Sequence, residues 1–120
     1  MTNKNKKYDL LERTASFGEN VIDFLKTIQR NELTRPLINQ IVRSATSVGA
    51  NYMEADVAES KKDFIHKLGI CRKEAKETMH WLRMIARVGI NEQDECRKLW
   101  KESQEFVFIF SSIITKSKSK

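Results

Sequence analysis

The chain has 120 residues, 22 Lys and Arg against 16 Asp and Glu for a net charge of +6, and 40% hydrophobic residues. That length holds one domain with a real core, and one Pro with four Gly supplies too few turn formers for a sheet protein. No run reaches the roughly eighteen apolar residues of a membrane span, Met1–Lys7 has no apolar signal-peptide core, and the two cysteines sit at apolar helix positions rather than in a disulfide framework, so an all-α protein of the cytoplasm is expected.

Helix one is predicted over about Tyr8 to Arg30. Leu10, Thr14, Phe17, Val21, Phe24 and Ile28 recur at steps of three and four, the spacing of a buried seam, which Leu11 and Leu25 widen. Residues 31–34 form a connection, with Thr34 as the N-cap of helix two and Pro36 in its first turn, where a missing N–H costs nothing. Helix two runs to about Val57 on a seam of Ile38, Ile41, Ala45, Val48, Tyr52 and Ala55. Its middle (Ser44, Ala45, Ser47, Gly49, Ala50) is small, which lets a neighbouring helix approach closely. Beside that seam lies a polar stripe of Gln40, Ser44, Ser47, Asn51 and Glu54. Asn51 and Glu54 lie near enough to the core to need partners, and are expected to fix register through bonds to a neighbouring helix.

Ser60 with Asp63 resembles a capping box and opens helix three, residues 61–89, with Gly89 as its C-cap. Phe64, Leu68, Cys71, Ala75, Thr78, Leu82 and Ile85 form its seam. Lys62, His66, Gly69, Lys73, Lys76, His80, Arg83 and Arg87 keep the same spacing two positions earlier, about 200° round the helix. One face therefore serves the bundle and the opposite face is a basic ridge. Helix four is predicted to be capped by Asn91, with Glu92, Asp94 and Glu95 at its positive end and a seam of Cys96, Leu99, Ser103, Phe106, Phe110 and Ile113. Four amphipathic helices with short connections predict an antiparallel up-down-up-down four-helix bundle over residues 8–115. Residues 1–7 and 116–120 are expected as flexible basic tails.

The six lysines of those two tails account for the whole charge excess, since residues 8–115 balance 16 bases with 16 acids. Within the body, residues 61–87 carry eight bases and three acids. That local charge fits a phosphate-binding surface, and it also fits pairing with acidic partners or a plain solvated face. Lys62, Lys73, Lys76, Arg83 and Arg87 are the candidate nucleic-acid contacts. No aromatic residue interleaves them, which favours backbone contacts over base stacking.

Two helices are apolar over more surface than one core needs. Helix four reads Phe106 to Phe110 without a polar residue, then Ile113 and Ile114. Ile70, Trp81, Met84, Val88, Trp100, Val107, Phe108 and Ile114 are the candidate oligomer interface, because contiguous exposed apolar patches mark such contacts.

Catalytic chemistry finds no constellation. Glu77 and His80 form a Glu-x-x-His pair, but di-iron bundles need that motif on two helices, and both histidines, His66 and His80, lie on helix three, about 21 Å apart along its axis. No Gly-rich phosphate loop and no Cys-x-x-Cys occurs. No enzyme activity, metal site or cofactor is expected.

The stretch from Ser44 to Phe64, SATSVGANYMEADVAESKKDF, resembles the 23S rRNA intervening-sequence protein family. YDLLER from Tyr8, KEAKET from Lys73 and WLR from Trp81 strengthen the likeness, which covers about Tyr8 to Ile114. The resemblance implies an antiparallel four-helix bundle that assembles as a ring-shaped homopentamer. Some such proteins are encoded in inserts of bacterial 23S rRNA genes. A related branch comprises accessory proteins of diversity-generating retroelements, which partner a reverse transcriptase and bind nucleic acid through a basic surface. The resemblance carries no catalytic residues. Asn51, Glu54 and Ser60 match its motif and are read as structural. Ala55-Asp56 stands where many members have Gly and a base, which lowers the basic charge at that turn. The expected function is a non-enzymatic homo-oligomeric scaffold or an RNA- or DNA-binding accessory. The alternatives are a protein-interaction module with no affinity for nucleic acid and, behind it, a metal-binding or enzymatic bundle.

Overall fold

The structure, a computed structural model, describes residues 6–119, with side chains from Leu10 onward. Four helices follow one another: α1 Lys6–Lys26, α2 Thr34–Asp56, α3 Lys61–Arg87 and α4 Gln93–Lys118. The connections are too short for anything but antiparallel neighbours, and the chain forms an up-down-up-down bundle. Of the expected tails, residues 1–5 and Lys120 lie outside the described residues, whereas Lys6 and Lys7 open α1 and Lys116–Lys118 close α4. Packing is broad between α2 and α3 and between α3 and α4, and narrowest between α1 and α4.

The helix ends differ from expectation where side chains compete for backbone groups. Helix α1 stops at Lys26, four residues early. There the Thr27 hydroxyl donates to the Phe24 carbonyl at 2.6 Å, and Thr27 N and Ile28 N make tight i→i−3 bonds to Phe24 and Leu25. Thr34 is not the N-cap of α2. Leu33 takes that position, and Asn31 Oδ1 accepts from the N–H groups of both Leu33 and Thr34 at 2.9 Å. Thr34 instead binds back into the loop, donating to the Gln29 carbonyl at 2.8 Å. Asn91 does not cap α4 either. Glu92 stands at that position, and Gln93 Nε2 ties the turn down by donating to the carbonyls of Ala86 (3.0 Å) and Ile90 (3.1 Å). Ser60 does cap α3, accepting from Asp63 N at 3.0 Å. Gly89 follows the last turn with φ 94°, a left-handed conformation that only glycine adopts cheaply.

Every predicted seam residue of α1 and α2 is buried. Between these helices the backbones come close: a Cβ on Gly49 would lie 3.3 Å from the Thr14 carbonyl oxygen, so the small centre of α2 is what α1 packs against. On α3 the seam is buried from Leu68 to Ile85, and Phe64 is half-buried. On α4 it runs through Cys96, Leu99, Ser103, Phe106 and Phe110, then shifts from Ile113 to Ile114. The shift follows from helix geometry. Ile114 lies eighteen residues after Cys96, which is about five whole turns at 3.6 residues per turn, so both point the same way. Ile114, 4% exposed, is therefore core and not interface, which corrects the sequence expectation.

A polar layer threads the α2–α3 contact. Thr78 Oγ1, fully buried, lies 2.8 Å from Ser44 Oγ and 2.8 Å from the Glu74 carbonyl of its own helix. Glu74, 8% exposed, accepts from Arg43 Nη1 at 3.2 Å. Arg43 also binds Glu77, whose Oε2 accepts from Trp81 Nε1 at 3.1 Å. This network pins the register of two helices, since a slip of one residue would leave a buried carboxylate alone.

Candidate nucleic-acid interface

The basic ridge of α3 faces away from the core because its positions lie opposite the seam. Lys62, Lys73, Lys76, Arg83 and Arg87 are all exposed. Lys62 to Arg87 spans about 37 Å at 1.5 Å per residue. Among the described residues none of the five makes an ion pair or side-chain hydrogen bond. Three bases elsewhere behave differently. Arg13 bridges Glu102 (2.9 Å) and Glu105 (3.0 Å) across the narrow α1–α4 side. Arg43 holds Glu74 and Glu77, and Lys67 donates to Glu54 at 2.6 Å. The hydrogen bond to the Glu54 carboxylate, followed by its charge, raises the Lys67 pKa. Arg13, Arg43 and Lys67 are thus tied up within the bundle, whereas the five ridge bases are not.

The three motif polar residues take different parts. Glu54 crosses to α3 through Lys67, and Ser60 caps α3. Asn51 does not reach a neighbouring helix: its Nδ2 donates to the Ser47 carbonyl one turn back at 2.9 Å. The cross-helix bond expected of it is made instead by Ser44 of the same stripe, two turns before Asn51.

The apolar candidates also divide. Trp81, Trp100 and Val107 are half-buried and pack on the core. Ile70, Met84 and Val88 are half-buried. Phe108 alone of the set is strongly exposed, at 64%. Sequence reading missed Met53 on α2 and Val57 at its C-cap, four residues apart and exposed at 64% and 73%. Met53 falls one position off the seam and Val57 two, so neither belongs to the apolar periodicity of α2.

Both thiols are buried. Burial pushes the Cys71 pKa up to about 12 and that of Cys96 up to about 11, and each sulfur is hydrogen-bonded to a carbonyl, Val48 and Leu82 respectively. Glu77, the carboxylate of the Glu-x-x-His pair, is engaged by Arg43 and Trp81, and the His80 ring packs edge-on against Trp81 at 4.9 Å. Among the described residues no three His, Cys, Asp or Glu side chains gather as a metal site. Among the described residues no helix is long and apolar enough to cross a membrane.

No curated protein matches the chain. A crystal structure of a protein of unknown function, from the S23 ribosomal protein family of Bacteroides thetaiotaomicron VPI-5482, superposes with a TM-score of 0.80 at 31% identity, covering 92% of this chain and 99% of that one. The family model described as 23S rRNA-intervening sequence protein matches residues 6–112, from the start of α1 nearly to the end of α4. The chain belongs to the 23S rRNA-intervening sequence protein family.

Proposed function

We propose that the protein is a non-enzymatic, cytoplasmic, homo-oligomeric bundle whose α3 ridge holds the phosphate backbone of RNA or DNA, in the role of an accessory or scaffold protein. The observation that carries this reading is the contrast in charge use: the ridge bases are exposed and unpaired among the described residues, while Arg13, Arg43 and Lys67 are committed to carboxylates within the bundle. Contacts to phosphate oxygens carry little sequence information, so binding is salt-sensitive and tolerant of sequence. The test reverses three ridge charges, Lys62→Glu, Arg83→Glu and Arg87→Glu, in the full chain and titrates labelled structured RNA by fluorescence anisotropy. Affinity falls by about 100-fold or more at low salt, since each lost phosphate contact removes released counterions. Unchanged affinity would refute the ridge as the binding surface and favour a protein-interaction module.

Self-association, which we take to be pentameric, rests on the apolar side chains that the protomer leaves exposed, Phe108 foremost. Phe108→Glu is a surface change for the isolated bundle and leaves its helicity and melting nearly unchanged. In an interface it buries a charge without a partner. Light scattering therefore reads five chain masses for the wild type and a smaller species for Phe108→Glu. A monomeric wild type would contradict the proposal.

A further inference from the structure

A groove of about 640 Å³ lies between α3 and α4, on the flank of the ridge. From α3 it is lined by Gly69, Arg72, Lys73, Lys76 and Glu77, and from α4 by Val107 and Ser111. Helix geometry sets Arg72, Lys73 and Lys76 at about −60°, +40° and −20° from Gly69 around the α3 axis, so three cations share an arc of about 100°. Like charges one turn apart repel, and that repulsion is relieved when an anion sits among them. Gly69 leaves the middle of the arc open: a Cβ added there meets nothing within 4 Å. Glu77 is the one acid lining the groove, and Arg43 and the Trp81 N–H already hold its carboxylate. Arg72 is half-buried and donates from Nη1 to Ser111 Oγ at 3.3 Å, which anchors its guanidinium to α4. One donor is used there, and the planar fork keeps others for an oxyanion.

We propose that this groove seats one phosphodiester of a bound nucleic-acid strand, gripped by the Arg72 guanidinium and flanked by Lys73 and Lys76. The inference rests on the phosphate-backbone reading of the ridge and deepens it: Arg72, which belongs to neither the seam nor the ridge, becomes the residue that fixes the strand on the α4 side.

The test uses the full chain and a fluorescein-labelled RNA hairpin, with two variants. Gly69→Leu enters open space and removes a mid-helix glycine, so the fold is kept or strengthened, as thermal melting will register. It fills the groove and weakens RNA binding about tenfold, the loss of a charge-assisted contact. Arg72→Lys keeps the charge but loses the fork, and weakens binding about fivefold with the salt dependence unchanged. Wild-type affinity in both variants, while reversal at Lys62, Arg83 and Arg87 still weakens binding, would overturn the groove and leave the ridge reading standing. Absence of RNA binding by the wild type would overturn both. Displacement of the RNA by polyglutamate at equal charge would also overturn the proposal, because a carboxylate array would then be the better occupant.

Discussion

Phe106→Ala lowers the free energy of unfolding by about 3–5 kcal/mol, the range for deleting a fully buried aromatic ring. Phe106 has 0% exposure. Its ring meets Phe17 of α1 edge-on at 5.4 Å and stacks on Phe110 one turn along α4 at 5.8 Å. The Arg13 guanidinium covers it at 5.0 Å while bridging Glu102 and Glu105. Deleting the ring therefore opens a cavity where α1 and α4 pack most narrowly, and takes away the surface on which Arg13 rests. Urea denaturation followed by circular dichroism measures the loss, which corresponds to a drop in melting temperature on the order of 10–20 °C. A change within about 0.5 kcal/mol, typical of surface positions, would mean that the ring is not part of the core.

Arg43→Met lowers stability by about 2 kcal/mol. Breaking a buried pair costs roughly 3–5 kcal/mol because one charge is left in the interior. The lower figure applies here because the Arg43 side chain is 45% exposed, although that of Glu74 is only 11% exposed. The double variant Arg43→Met, Glu74→Leu recovers to within about 1 kcal/mol of the wild type, since the buried Glu74 charge is then gone and the Glu77 carboxylate, whose side chain is 31% exposed, keeps the Trp81 N–H and solvent. The same denaturation series, arranged as a double-mutant cycle, measures the difference. If the double variant loses as much as the two single changes added together, the pair is not coupled and the α2–α3 register is held by apolar packing alone.

The seams of α1 and α2 could be read residue by residue because burial there follows helical period and little else. The end of α4 could not, since Ile113 and Ile114 are both apolar and only the accumulated rotation over five turns chooses between them. Caps failed for a related reason. Thr34 and Asn91 have suitable side chains at suitable places, but Thr34 turns back to the Gln29 carbonyl while Asn31 Oδ1 takes the Leu33 and Thr34 N–H groups, and the turn before α4 is held by Gln93 through the Ala86 and Ile90 carbonyls. Glu74 was hidden because a carboxylate next to seam residue Ala75 reads as exposed. Its partner Arg43 lies on another helix, so only the packing of α2 on α3 brings the two together. The ridge was legible because charge and period coincide on one face. Arg72 was not, as it falls between seam residue Cys71 and ridge residue Lys73 and belongs to neither stripe until α4 supplies Ser111.

The most direct measurement is the salt dependence of RNA binding by the full chain beside a variant whose six terminal lysines, Lys4, Lys6, Lys7, Lys116, Lys118 and Lys120, are replaced by Gln. Substitution rather than trimming keeps the ends of α1 and α4 intact. If the α3 ridge is the binding surface, the variant retains binding, and log affinity falls steeply and linearly with log salt, because several phosphate contacts release counterions. Loss of binding in the variant would assign the attraction to the termini and contradict a phosphate-binding face on the folded bundle.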